Sequence, residues 1–117
     1  MIKVAFIGDS PSRLNVNEDL AFVGARCFYT IIEWIKYINP DYYICINSNK
    51  RASMWDIQKL YEYGFKIIAL GNKSSKRLDS CNIEHLKIDH PSGLNRKLNN
   101  KDYIDKILKE AYTYVRR

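Results

Sequence analysis

The sequence of 117 residues has no run of about 18 apolar residues, so no segment is long enough to span a membrane as a helix. Its first apolar segment, Ile2 to Gly8, is too short and too soon interrupted to read as a signal peptide. These absences lead to the expectation of a cytoplasmic protein with no membrane partner; separately, a monomer is expected. Cysteine is scarce, and Cys27, Cys45 and Cys81 lie far apart without any C-x-x-C spacing. That excludes the common zinc and iron–sulfur patterns and fits free thiols in a reducing compartment. Neither a metal nor a cofactor is expected. Internal repeats, low-complexity linkers and composition breaks are also missing, so residues 1–117 are expected to form a single domain. Acidic residues fall short of basic ones, 13 against 19, leaving a formal net charge of +6. Such a balance suits a polyanionic partner but is common in proteins without one.

Apolar residues are plentiful at 46%, enough for one compact core in a chain of this length. They fall into buried strands alternating with amphipathic helices. The pattern predicts a strand over 2–8 and a helix over 27–38, with Phe28, Ile31, Ile32, Ile35 and Ile38 at helical spacing and Asn39-Pro40 as its stop. A strand over 41–47 follows, then a helix from Met54 that stops at Gly64, and a strand over 65–71. A short helix over 76–81 and a weaker strand over 84–88 precede a last helix over 101–115, capped by Asn100, with Tyr103, Ile104, Ile107, Leu108, Ala111 and Val115 on one face. Strands separated by helices predict an α/β fold: three layers, α/β/α, around a mostly parallel four-stranded sheet. In such sheets ligands bind beyond the carboxyl ends of the strands.

Four polar turns leave those ends: GDSPS (8–12), NSNKR (47–51), GNKSS (71–75) and DHPSGLNR (89–96). Turn chemistry alone accounts for any one of them. Together they assemble a candidate site, and Leu94, at the tip of a glycine-containing loop, suits a wedge better than solvent. Asp9 reads either as a turn cap or as a functional carboxylate, and His90 either as a neutral loop residue or as an acid–base group. Phe22 reads as core or platform, and Asn47 as a partner for neighbouring backbone amides or for a ligand. His85 sits in a polar stretch that assigns it no role.

In the order "FIGDSPS", "AFVGARCFYTIIEWI", "YYICIN", "IIALG" and "HPSGLNR", the chain resembles the uracil-DNA glycosylase superfamily across nearly its whole length. The P-S-G-L-x-R of the last segment is similar to the mismatch-specific uracil/thymine branch, and its His to other branches. The resemblance implies base excision from DNA carrying uracil or a related modified or mismatched base, with no cofactor. Breaking an N-glycosidic bond puts positive charge on the sugar and negative charge on the departing base, so a carboxylate and a hydrogen-bond donor are needed. Asp9 and His90 match those roles. The base must also leave the stack, which calls for a platform, an edge reader and a wedge. Ser10, Phe22 and Asn47 match the base-binding positions and Leu94 the wedge. Lys50, Arg51, Arg96 and Lys97, with turn amides at Ser12 and Ser92, are expected to hold phosphates.

Two other readings stand beside this one. The first is a non-catalytic DNA- or nucleotide-binding module on the same fold. The second takes "FIGDS" as the first block of GDS-type esterases, with Ser10 as nucleophile. That mechanism needs an Asp three residues before its His, yet Lys87 precedes His90 and Asn82 precedes His85 at that distance.

Overall fold

A computed structural model describes residues 1–9, 27–49, 51–91 and 96–117. In chain order these form β1 (Lys3–Gly8), α1 (Cys27–Ile38), β2 (Tyr42–Asn47), α2 (Arg51–Glu62), β3 (Lys66–Leu70), α3 (Asn72–Ser80), β4 (Leu86–Ile88), a 3-10 turn (Arg96–Asn99) and α4 (Lys101–Tyr114). The sheet has the order β2-β1-β3-β4 and every pairing in it is parallel. This is the α/β architecture with a four-stranded sheet that the alternating pattern predicts.

Side chains alternate across the strands and so divide the core in two. Val4, Phe6, Ile68 and Leu70 pack against α1 and α4, while Ala5, Ile7, Ile67 and Ala69 pack against Ile57 of α2 and Leu78 of α3. Both faces of β1 and β3 are therefore buried, which explains their unbroken apolar runs. On α1 the buried stripe is Ile31, Trp34, Ile35 and Ile38, so Trp34 takes the inward place expected for Ile32, which is only partly buried. The first helix ends on Asn39, whose φ of 55° closes the turn before Pro40. Gly64, with φ 89°, ends α2 in the same manner. Asn100 caps α4 as expected, its side chain accepting from the amides of Asp102 and Tyr103 at 3.0 and 3.2 Å.

The short helix expected over 76–81 starts four residues earlier, at Asn72, directly behind β3. Its first turn is rich in Asn and Ser, residues that also form loops, and burial of Ser74 and Ser75 favours the helix. Among the described residues no helix is long and apolar enough to cross a membrane.

From β1 the chain goes through α1 to β2 on one side, then passes back across β1 to β3 on the other. The order reverses between β1 and β3, and a sheet of this kind opens a ligand crevice beyond its carboxyl ends at such a reversal. Asp9 follows β1 there, and Gly71 follows β3.

Candidate functional site

Three of the residues singled out in the sequence lie at this carboxyl edge: Asp9 after β1, Asn47 at the end of β2 and His90 shortly after β4. Strand register pairs Asn47 with Gly8, which puts the Asn one residue away from Asp9 across the sheet. His90 comes from the far edge strand, yet it is near enough for the charge of Asp9 to act on it.

Asp9 is tied to α3 by Arg77. The guanidinium Nη1 lies against the Asp9 Oδ1 as an ion pair, donates to the Asp9 carbonyl at 3.2 Å and donates to Ser48 Oγ at 3.0 Å. Ser48, itself buried, donates its hydroxyl to the Gly8 carbonyl at 2.7 Å. One nitrogen thus links the ends of β1 and β2 to the helix that follows β3. Nη1 lies against Oδ1 while also reaching Asp9 O and Ser48 Oγ, so the ion pair takes up the Oδ1 acceptor. Lys73 stands 3.8 Å from Oδ2 with its side chain largely in water, so it adds little.

Among the described residues, Asn47 Oδ1 is a buried side-chain oxygen at this edge with no hydrogen-bond donor, whereas Asp9 Oδ1 is met by the Arg77 guanidinium. Leaving a buried acceptor unmet costs about 1–3 kcal/mol, so Asn47 Oδ1 at the end of β2 suits a ligand or water that brings an N–H or O–H group.

The chain on either side of His90 is anchored at several points. The Gly71 amide donates to the Ile88 carbonyl at 2.8 Å, Pro91 is fully buried, and Tyr103 on α4 donates its hydroxyl to Asp89 Oδ1 at 2.5 Å. That last bond favours the protonated phenol and raises the Tyr103 pKa. Burial lowers the His90 pKa below 6.5, and Asp9 offsets part of that effect, so the imidazole is neutral at pH 7.

The remaining expected phosphate contacts are less defined. Arg96 and Lys97 are exposed on the 3-10 turn, and the Lys97 ammonium lies 5.8 Å from the centroid of the Tyr103 ring. Arg51 opens α2. Ser10, Ser12, Phe22, Lys50, Ser92 and Leu94 lie outside the described residues.

Two residues that sequence reasoning left aside have defined roles here. Arg77 is one; its bond to Asp9 joins residues 68 apart, so no local pattern announces it. The other is His85, whose Nδ1 donates to the Ile83 carbonyl at 2.8 Å, leaving Nε2 to accept from Ser75 Oγ at 2.8 Å. Both side chains are largely buried, and the pair fastens α3 to the segment entering β4. No local pattern announces this pair either, since Ser75 falls in a turn-like stretch ten residues before the histidine.

Cys45 and Cys81 are free, and burial pushes the Cys45 thiol up to about 11. No group of three or more His, Cys, Asp or Glu among the described residues could hold a metal ion. Comparison with protein-family models, with curated proteins and with solved structures finds no match.

Proposed function

We propose that the protein is a DNA glycosylase that flips uracil, or a related modified or mismatched base, out of the stack and hydrolyses its N-glycosidic bond. The resemblance of its five motifs implies this chemistry. The structural observation that carries it is Asn47 Oδ1, a buried acceptor with no donor among the described residues, at the edge that also holds Asp9 and a neutral His90.

In the reaction the bond between C1′ and the base nitrogen breaks and its electron pair leaves with the base. A water oxygen bonds to C1′, and the proton it loses ends on the base. Asp9 accepts a hydrogen bond from that water through Oδ2, and its negative charge opposes the positive charge growing on the sugar. The neutral His90 donates a ring N–H to the base oxygen where negative charge collects. Asn47 Oδ1 accepts an N–H from the edge of the flipped base, and this selects for bases that present a donor there. Phe22 as platform, Ser10 as a base-binding residue and Leu94 as wedge keep the roles that the resemblance implies. Arg96, Lys97, Lys50 and Arg51 contact phosphates, with the turn amides at Ser12 and Ser92 assisting.

The ion pair of Asp9 with Arg77 favours a second reading. A carboxylate whose charge is shared with a guanidinium gives less stabilisation to a cationic sugar, and the site then serves a DNA- or nucleotide-binding module that does not cut. Oligonucleotides carrying uracil, a mismatch or a modified base, incubated with protein and then cleaved by alkali, separate the two. Strand breaks at the marked base support the glycosylase. Tight binding without breaks supports the module.

A further inference from the structure

The glycosylase reading gives Asp9 a task but leaves open what fixes its carboxylate beside the sugar. We infer that Arg77 is the positioning residue for Asp9, holding the carboxylate at the β1–β3 reversal through Oδ1 while leaving its other oxygen, Oδ2, to accept a hydrogen bond. The inference rests on the glycosylase reading for its catalytic meaning and on geometry alone for the clamp itself.

Three contacts carry it. Nη1 holds the backbone of Asp9 through the carbonyl at 3.2 Å, holds the neighbouring strand end through Ser48 Oγ at 3.0 Å, and faces Oδ1 by charge. The Ser48 bond to the Gly8 carbonyl, 2.7 Å, closes the arrangement, so β1, β2 and α3 are locked to one another at the residue before Asp9. A carboxylate bound edge-on by both nitrogens of an arginine would have its acceptor sites filled. Here one nitrogen, Nη1, meets one oxygen, Oδ1, and Oδ2 has the solvated Lys73 ammonium 3.8 Å away. Charge compensation and an open acceptor are thereby obtained together, which a lysine at position 77, a point charge without a planar fork, would reproduce only in part. The two loops come from distant parts of the chain, and a displacement of about 1 Å in a reacting group can cost on the order of 10²-fold in rate.

The test is a double-mutant cycle with Asp9→Asn, Arg77→Met and the pair, read in two ways. The first reading is melting temperature, which needs no substrate. A clamp predicts that the double variant melts no lower than the more damaged single variant, whereas additive losses would overturn it. The second reading is single-turnover base excision. Arg77→Met is expected to lower kcat by about 10²-fold with little change in KM, Arg77→Lys to recover part of the loss, and Arg77→Met to add nothing in the Asp9→Asn background. A loss confined to KM, or one that persists in full without Asp9, would show that Arg77 does not act through Asp9. Absence of excision by the wild type from every substrate would defeat the glycosylase reading instead, and the melting cycle would still decide the clamp.

Discussion

A β-carbon placed on Gly71 would lie 3.2 Å from the β-carbon of His90. The glycine also has φ 94° and ψ 176°, a backbone region that residues with side chains avoid. Gly71→Ala should therefore cost about 1–3 kcal/mol in stability from the backbone alone and press His90 out of place. Urea denaturation checks the first effect, and a changed His90 imidazole signal in NMR checks the second. An alanine variant that keeps both unchanged would mean that the loop gives way freely.

His90 sets a pH dependence. Its folded pKa is lowered chiefly by burial, so the unfolded chain takes up the proton more readily than the folded one. The stability contributed by neutral His90 is thus fully present above pH 6.5 and is lost as pH falls through the lower folded value. Excision should follow the same acid limb. Because Asp9 raises the His90 pKa, Asp9→Asn should move the NMR titration midpoint of His90 to still lower pH; an upward shift would contradict the proximity of the two groups.

The main supports of the fold were legible because they are local. The α1 stripe, the glycine after α2 and the Asn100 cap all depend on residues within a few positions of each other. The start of α3 was not, since Asn72, Ser74 and Ser75 suit a turn as well as a helix until Ser75 meets His85. At the site, loop position after each strand singled out Asp9, Asn47 and His90, whereas Arg77 reaches its partners only through the fold. The resemblance assigned Asp9 a chemistry but gave no notice of the cation that holds it.

The Ser75–His85 pair should matter for stability alone. His85→Ala leaves the Ser75 hydroxyl without its acceptor in a buried place and should cost about 1–3 kcal/mol, with binding of DNA unchanged. Replacing Ser75 by Ala as well should recover part of that loss, because the orphaned hydroxyl is gone. Calorimetric melting of the single and double variants measures both.

Binding to DNA should weaken as salt rises, as expected when basic side chains displace counterions from phosphates. Arg96→Ala should lower affinity evenly across sequences and reduce the slope of log affinity against log salt by about 1. Affinity that does not respond to salt would remove phosphate contacts from the account.

The glycosylase reading is tested most directly by free base released into solution, quantified by mass spectrometry, from duplex and single-stranded oligonucleotides each holding one uracil. The wild type should release the base, Asn47→Ala should release far less because the acceptor for the base edge is lost, and Asp9→Asn should fall by about 10²-fold while still binding DNA. No free base from the wild type on uracil, mismatched or modified substrates, with DNA still bound, would contradict catalysis and leave a recognition module.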